Sequence, residues 1–303
     1  MSSIRFDDRV AIVTGAGGGI GRCHAMLLAS RGAKVVVNDL GAPSTDGRGG
    51  SSSMADSVVA DIKAQGGEAI ANYDSVSDPA GGEAIVQSAL DTWGRLDVVV
   101  NNAGILRDRS FAKLEWQDLD AVIDVHLKGA FYVSQPAFKV MKAAGYGRLV
   151  FTSSASGLFG NFGQTNYGAA KAGVVGLSNV LGLEGRRYNV LSNVIAPIAR
   201  TRMTEELLGD DADVFNPEQT SPIVAYLSSE ESTLNQEVFS VGGGRVARIF
   251  TGLSRGWLTS NAMTIEDIRD NMPQITDLDG FIQPKSIADE TELMLKMLKE
   301  DSC

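Results

Sequence analysis

The sequence has few cysteines, histidines and prolines, and each shortage excludes a class of protein. Two cysteines, Cys23 and Cys303, cannot build a disulfide framework, and with only two histidines they lack the spacing of a metal site. We therefore expect no metal, and we interpret both cysteines as reduced thiols. Eight prolines against 34 glycines, with 44% hydrophobic residues, are typical of a globular protein rather than a disordered or fibrous one.

Basic clusters and long apolar runs are missing as well. The formal net charge is −10 and the 27 lysines and arginines form no run, so we expect no nucleic-acid partner. The sequence contains no stretch of about twenty uncharged apolar residues, so we expect no membrane span. The first residues lead into a strand pattern without the apolar segment of a secretory signal. We therefore predict a cytoplasmic protein with one large α/β core.

The sequence does contain a regular alternation of two patterns. Short apolar runs rich in β-branched residues are continuous rather than alternating, as in strands buried on both faces. Longer helical patterns separate them, which predicts an α/β fold: a single-domain doubly wound Rossmann fold with a central parallel seven-stranded sheet. The strand runs are Val10–Thr14, Lys34–Asn38, Leu96–Asn101, Arg148–Thr152, Val190–Ala196 and Glu237–Val241; the helical stretches include Gly19–Ser30, Ser53–Gln65, Pro79–Trp93 and Thr165–Arg187.

Three segments depart from this alternation. Leu40–Ser53 is rich in glycine and serine and predicts a surface loop. The polar segment Arg200–Pro217 predicts a mobile lid over a substrate. We place the Rossmann domain at residues 1–244 and interpret 245–303 as a C-terminal extension, a cover or interface element of the same domain. It ends in an amphipathic pattern over Ser286–Lys299.

A glycine-rich loop, Thr14–Gly21, follows the first strand and opens a helix, which is the context of a dinucleotide-binding turn. Glycines let the backbone approach a pyrophosphate, and the helix N-terminus favours its negative charge. Gly15, Gly19, Ile20 and Gly21 are therefore candidate cofactor-binding residues. A glycine-rich turn without a ligand is the alternative.

Asp39 ends the second strand, about twenty residues after the glycine loop, where an acidic side chain meets the adenosine ribose. A carboxylate accepts hydrogen bonds from ribose hydroxyls and repels a 2′-phosphate. No arginine or lysine stands in the loop before Gly19, or directly after Asp39, to offset that repulsion. The pattern favours NAD over NADP, with a solvated acidic residue at a strand end as the alternative.

Tyr167 and Lys171 stand four residues apart and therefore on one face of a helix. A nearby ammonium lowers the pKa of a tyrosine from about 10, which makes the phenol a usable acid or base. Ser154 follows a strand, thirteen residues before Tyr167, and can bring a hydroxyl to the same substrate oxygen. Ser154, Tyr167 and Lys171 are the predicted catalytic residues.

Together with Asn101–Gly104, these motifs resemble the short-chain dehydrogenase/reductase superfamily over residues 6–243. The resemblance implies an oxidoreductase in which the serine binds the substrate oxygen, the tyrosine transfers the proton, and the lysine binds the nicotinamide ribose. By position these roles fall to Ser154, Tyr167 and Lys171, the last two also as cofactor contacts. It further implies cofactor contacts from Asp74, Ser75, Val76, Asn102, Ala103 and Gly104.

Two positions differ from the family pattern. His126 stands where a catalytic asparagine is usual, and its imidazole either holds a relay water or packs against helix backbone. After the sixth strand, where the family usually has Pro-Gly followed by threonine, the chain has Pro197-Ile198 and then Thr201. The resemblance implies that Pro197, Ile198 and Thr201 contact the nicotinamide. His24, on the first helix, is interpreted as a packing residue.

Several segments resemble one branch of the superfamily, the (3R)-hydroxyacyl-CoA dehydrogenase domain of peroxisomal multifunctional enzymes of type 2, also called 17β-hydroxysteroid dehydrogenase type 4. The resemblance implies oxidation of a (3R)-hydroxyacyl-CoA in fatty-acid or steroid side-chain β-oxidation. A dehydrogenase of free 17β-hydroxysteroids and a catalytically idle NAD-binding sensor are the alternatives. The segments are Asn38–Gly41, Ala71–Val76, Asn101–Phe111, Val125–Leu127 and Ser153–Tyr167.

Two further expectations concern surfaces. Several apolar residues either line a substrate channel or pack in the core or lid: Phe159, Phe162, Met203, Leu207 and Leu208. Small residues throughout Thr165–Leu183 allow another helix to approach closely. They either pack within one subunit or, as the family resemblance implies, form a homodimer interface across a two-fold axis, with a tetramer as a further alternative.

Overall fold

The computed structural model describes residues 3–41, 45–47, 51, 53–201, 213–259 and 261–301. The chain divides into two compact units, Met1–Arg248 and Ile249–Cys303. In the described residues, no helix combines the length and apolar character that a membrane crossing requires.

The first unit is built on one sheet, whose described strands follow the spatial order β3-β2-β1-β4-β5-β6-β7-β8. The neighbours from β3 to β7 pair in parallel. Chain order reverses direction at β1 and β4, which is the switch point of a doubly wound sheet. The strands are β1 Val10–Thr14, β2 Lys34–Asn38, β3 Glu68–Asn72, β4 Val98–Asn101, β5 Gly147–Thr152, β6 Val190–Pro197, β7 Val238–Gly242 and β8 Arg245–Ile249.

Helices connect these parallel strands and cover the sheet. Local sequence sets their ends; for example, Asp78 caps one helix by accepting a hydrogen bond from the Ala80 amide, and Gly94 ends it at φ 70°. The helices of this unit are α1 Gly19–Ser30, α2 Ser53–Ala64, α3 Pro79–Trp93, α4 Trp116–Ile123, α5 Gly129–Ala144, α6 Ala155–Phe159, α7 Thr165–Gly185 and α8 Ser221–Ser228; a π-helical turn, Asp124–Lys128, joins α4 to α5.

The central strands are buried on both faces, as their continuous apolar sequences predict. All five residues of β1 and all six of β5 are buried. Side chains of α1, α2 and α8 pack against the sheet in the main core, with Leu28, Ile62 and Leu227 almost fully buried. At about 25 cal/mol per Å² of apolar surface removed from water, this burial is the main favourable term of the fold. It holds the carboxyl ends of the strands in fixed positions.

The doubly wound α/β fold predicted from the sequence is confirmed, and the sheet has eight strands in the described residues where seven were expected. β8 follows Gly243 and Gly244, both at positive φ, and a two-residue connection of this kind joins antiparallel strands. Its residues are exposed or half-buried, so β8 lacks a continuous apolar run. β3 is only partly buried and was likewise absent from the strand runs predicted from the sequence. β8 lies at the start of segment 245–303, which the sequence predicted to be a C-terminal extension.

The second unit contains short helices and one longer helix. Thr264 and Asp267 form a reciprocal capping box at the start of Ile265–Asp270. Leu253 and Ile282 form an antiparallel bridge, and the rings of Phe250 and Phe281 stack with centroids 5.8 Å apart. The amphipathic pattern near the C-terminus corresponds to α11, Ile287–Asp301, which follows α9 Ile265–Asp270 and α10 Met272–Ile275.

Candidate active site

A cavity of about 790 Å³ lies at the carboxyl ends of the parallel strands, where open α/β sheets bind ligands. Every site residue predicted from the sequence lines it. They are Gly15, Gly19, Ile20, Gly21, Asp39, Asp74, Ser75, Val76, Asn102, Ala103, Gly104, Ser154, Tyr167, Lys171, Pro197, Ile198 and Thr201. The fold thus brings the separate motifs to one place.

The glycine loop needs glycine for two different reasons. Gly15 and Gly19 have φ of 64° and 53°, a region that L side chains rarely adopt. At Gly21 a Cβ would lie 2.2 Å from the Gly15 carbonyl oxygen, so any side chain would force the turn apart. Asn102 closes the loop from the neighbouring strand, since its Nδ2 donates to the carbonyl oxygens of Thr14 at 2.9 Å and Gly15 at 3.2 Å.

Asp39 is tied to the glycine loop. Its Oδ2 accepts a hydrogen bond from the Gly17 amide at 2.8 Å, and its Oδ1 accepts one from the Gly41 amide at 2.6 Å. A Cβ on Gly17 would lie 2.8 Å from the Asp39 carboxylate, so the glycine permits this contact. The arrangement holds the carboxylate at the cavity wall, at the end of β2.

A side-chain amide network positions the segment after β3. Asn38 Nδ2 donates to Asn72 Oδ1 at 2.8 Å and to the Asp74 carbonyl oxygen at 2.9 Å. Asn72 Nδ2 in turn donates to the Asp74 carboxylate at 2.8 Å. Because Asn38 and Asn72 are buried and bonded, they fix the backbone that presents Asp74 to the cavity.

The predicted catalytic residues lie just after β5 and on α7. Lys171 is buried, and its Nζ donates to the carbonyl oxygen of Thr152, the last residue of β5, at 2.6 Å. The same Nζ lies 5.6 Å from the centroid of the Tyr167 ring. Ser154 caps α6, with its Oγ accepting from the Ser156 amide at 3.2 Å. The structure therefore places a hydroxyl, a phenol and an amine around one cavity.

Burial dominates the protonation of these groups. It raises the pKa of Tyr167, while a hydrogen bond from Ser154 acts in the opposite direction. Burial also lowers the pKa of Lys171 to about 7. The sequence predicted that the ammonium would lower the phenol pKa; in the structure the net shift is upward, because desolvation disfavours both charged forms.

His126 is buried on the π-helical turn between α4 and α5. Its Nε2 lies 2.7 Å from the Ile105 carbonyl oxygen and 3.0 Å from the Ile105 amide nitrogen, so the tautomer decides which bond forms. Its Nδ1 is buried and has no partner among the described residues. Its ring meets that of Tyr167 edge-on at 5.0 Å, and burial, followed by the charge of Lys171, holds its pKa well below the ordinary value.

The apolar residues predicted to line a substrate channel or to pack in the core or lid fall into two groups. Phe159 and Phe162 are 73% and 91% exposed, so they neither pack in the core nor line the cavity. Met203, Leu207 and Leu208, and most of the predicted lid, lie outside the described residues. The lid therefore stays a prediction.

Other lining residues were not singled out from the sequence. Thr45 and Gly47 belong to the predicted surface loop, yet they line the cavity, and the Thr45 carbonyl oxygen accepts from the Leu106 amide at 2.9 Å. Ser156 and Gln164 also line it. A usable signal was available for these two, because both are polar residues in the short segment between Ser154 and Tyr167.

Comparison with known proteins identifies the family. A sequence model described as short chain dehydrogenase matches residues 9–212. The peroxisomal multifunctional enzyme type 2 of Mus musculus is 48% identical over 99% of this chain and 41% of its own length. The solved full-length enzyme of that name from Drosophila melanogaster is 39% identical with a TM-score of 0.82, over 98% of this chain and 50% of that one.

A second solved structure matches along nearly its whole length. It is described as a short chain dehydrogenase from Mycobacterium avium, and it is 42% identical with a TM-score of 0.74, covering 92% of this chain and 97% of that one. The chain thus spans half or less of these two multifunctional relatives and almost all of the Mycobacterium avium chain. The chain belongs to the short-chain dehydrogenase family and is an oxidoreductase of that type.

Proposed function

We propose that this dehydrogenase oxidises a (3R)-hydroxyacyl-CoA to the 3-oxoacyl-CoA with NAD, in fatty-acid or steroid side-chain β-oxidation. The observation that carries the proposal is a single cavity lined by the glycine loop, by Asp39 and by Ser154, Tyr167 and Lys171. Similarity to multifunctional enzymes of type 2 over 99% of the chain supports the acyl-CoA substrate.

The choice of NAD rests on Asp39. Two backbone amides hold its carboxylate at the cavity wall, where it can accept hydrogen bonds from ribose hydroxyls and would repel a 2′-phosphate. The basic side chains among the described lining residues are Arg107 and Lys171. Arg107 interacts with Asp118 and Lys171 donates to Thr152, so neither is held at Asp39.

In the proposed reaction, Ser154 donates a hydrogen bond to the substrate oxygen and Tyr167, as the phenolate, takes the hydroxyl proton. The alcohol carbon loses a hydride and becomes the ketone carbon. NAD, when bound, would supply the hydride acceptor and a positive charge that favours the phenolate of Tyr167. Lys171, on the same helix face, orients the ribose and adds its own charge when protonated. These roles use the geometry around one cavity and need no metal.

The test is NADH formation, followed by absorbance, with the purified chain and three substrates: a (3R)-hydroxyacyl-CoA, its (3S) epimer and a free 17β-hydroxysteroid. We expect turnover of the (3R) ester to exceed that of the other two. Turnover of only the free steroid would move the function to steroid alcohols. Tyr167→Phe serves as the inactive control, so that a contaminating activity is recognised.

The cofactor is tested in the same assay by exchanging NAD for NADP. Asp39→Ala should raise the relative rate with NADP, because the repulsion of a 2′-phosphate is removed. Asp61→Ala, which removes an exposed carboxylate paired with Arg22, is the matched control and should leave the cofactor ratio unchanged. A wild-type preference for NADP would contradict the assignment of Asp39.

We also propose that the protein is a homodimer joined through α5 and α7. Large apolar side chains are exposed on these helices, including Phe131 at 48%, Val180 at 52% and Leu183 at 46%. Exposed apolar surface of this kind marks association sites. Light scattering at several concentrations measures the mass, and Val180→Asp should shift it to the monomer. A monomeric wild-type protein would refute the dimer.

A further inference from the structure

A chain of hydrogen bonds runs from the cavity to an exposed carboxylate. Ser154 Oγ donates to Ser156 Oγ at 3.3 Å, and Ser156 Oγ donates to Gln164 Oε1 at 2.7 Å. Gln164 Nε2 donates to the Asp108 carboxylate at 2.7 Å. Every donor in this chain points away from Ser154 and towards Asp108.

The orientation of the Gln164 amide is fixed from both ends. Its Oε1 accepts from Ser156 and also from Asn161 Nδ2 at 3.0 Å, while its amino group faces a carboxylate that can only accept. The flipped amide would place two amino groups against each other and an oxygen against the carboxylate. Asp108 and Asn161 therefore hold Gln164 as an acceptor towards Ser156.

The same series of hydrogen bonds fixes the direction in which the Ser156 hydroxyl points its proton. Because its proton is committed to Gln164, Ser156 Oγ presents a lone pair, not a proton, to Ser154. Ser154 is then bound twice, by donating to Ser156 Oγ and by accepting from the Ser156 amide at 3.2 Å. The 3.3 Å contact is the longest link, so the Ser154 proton can move to a substrate oxygen at small cost.

We propose that Gln164, oriented by Asp108, is a positioning residue that acts through Ser156 to fix the rotamer of Ser154, with Ser154 Oγ held between the hydroxyl and the amide of Ser156. This rests on the proposed role of Ser154 in binding the substrate oxygen. Gln164 also lines the cavity, so direct contact between its amide and the substrate is the competing explanation.

A double-mutant cycle separates the two explanations. Gln164→Met removes the amide but keeps the length of the side chain, and Ser156→Ala removes the hydroxyl but keeps the backbone amide that Ser154 caps. We expect each single variant to lower kcat by about fivefold, equivalent to one hydrogen bond of about 1 kcal/mol, with little change in KM for NAD. The double variant should be no worse than either single variant.

A second double-mutant cycle measures the coupling between Gln164 and Ser156 by spectroscopy, without turnover. The Tyr167 phenolate is titrated by ultraviolet difference absorbance, with Tyr167→Phe in each background as the reference. Since Ser154 lowers the pKa of Tyr167, both single variants should raise it by the same amount, and the double variant should add nothing. Gln87→Met is the matched control, because Gln87 donates to Asp91 at the same 2.7 Å on an exposed helix face.

The outcomes are distinct. Additive losses in the two cycles, or an unchanged Tyr167 titration in Gln164→Met, would overturn the positioning role. If the wild-type protein turns over none of the three substrates but the titration is non-additive, the proposed function is wrong and the positioning role of Gln164 is supported. If the wild-type protein turns over the (3R) ester as expected and Gln164→Met behaves like Gln87→Met, the proposed function is supported and the positioning role of Gln164 is wrong.

Discussion

Buried ionisable groups are bonded differently at the two edges of the central sheet: the amino edge, where the parallel strands begin, and the carboxyl edge, where they end. At the amino edge, Asp97 accepts from Arg9 at 2.7 Å, from Arg95 at 2.6 and 2.9 Å, and from the Val10 amide at 2.9 Å. At the carboxyl edge, Lys171 is equally buried, but its Nζ donates to the neutral carbonyl oxygen of Thr152.

The difference shows in the pKa values. Burial pushes the pKa of Asp97 upward, but the hydrogen bonds from Arg95, Val10 and Arg9 exceed that effect and lower it, so the group stays charged. Burial lowers the pKa of Lys171 to about 7, and no carboxylate is paired with it in the part of the chain that the structure describes. Paired charges at one edge stabilise the fold, and unpaired groups at the other can change protonation near neutral pH, as a proton-transfer site requires.

The largest expected effect is at the carboxyl edge. Tyr167→Phe removes the phenol oxygen and keeps the ring, so we expect turnover to fall about 1,000-fold, within the range for a lost general acid or base. Binding of NADH, measured by its fluorescence, should change less than about threefold, because the ring packing and Lys171 remain. Turnover within tenfold of wild type would remove Tyr167 from the chemistry.

The next largest effect is at the amino edge and concerns stability. Asp97→Asn removes the buried carboxylate shared by Arg9 and Arg95 and leaves Arg9 with Glu230 alone. We expect a loss of about 3 kcal/mol in the free energy of unfolding, because charge-assisted hydrogen bonds are lost. Asp7→Asn is the matched control, since Arg5 and Asp7 repeat the same spacing on an exposed surface. Urea denaturation measures both. Equal stability of the two variants would break the contrast between the edges.

Sequence patterns predicted the fold well where strands are buried on both faces. The bounds of β1 and β2 match the apolar runs, because a strand covered by helices on each side must be apolar throughout. β8 has only exposed and half-buried residues, and its position depends on pairing with β7, which local sequence does not reveal. Long-range pairing thus limited the prediction.

The site was predictable at the level of lining residues and less so at the level of bonding. Gly15, Asp39 and Lys171 belong to motifs with fixed spacing, and the structure places all three at one cavity. The sequence does not show that Gln164 faces Asp108, because these residues are 56 positions apart and meet only when two loops fold together. Likewise, the burial that reverses the expected pKa shift of Tyr167 is a property of the packed chain.

A smaller effect should appear in the pH dependence of stability. The folded pKa of Lys171, about 7, lies below its unfolded value, so the unfolded chain binds more protons between these values. Stability relative to Lys171→Met should rise by up to about 1.4 kcal/mol per pH unit from pH ~7 to ~10. Asp97 acts in another window, since its lowered pKa contributes stability that is lost as pH falls below its unfolded value. Parallel curves for Lys171→Met and wild type would contradict an unpaired Lys171.

The smallest effect separates the two interpretations of His126. If its role is to hold Ile105, His126→Gln should keep most of the activity, because a glutamine amide reaches the position of Nε2, whereas His126→Asn should lose about fivefold with one hydrogen bond of about 1 kcal/mol. If His126 replaces the family's water-holding asparagine, the order of the two variants reverses. The ratio of kcat in these variants decides between the roles. The buried Nδ1, which has no partner among the residues that the structure describes, leaves the ring bonding capacity for the second role.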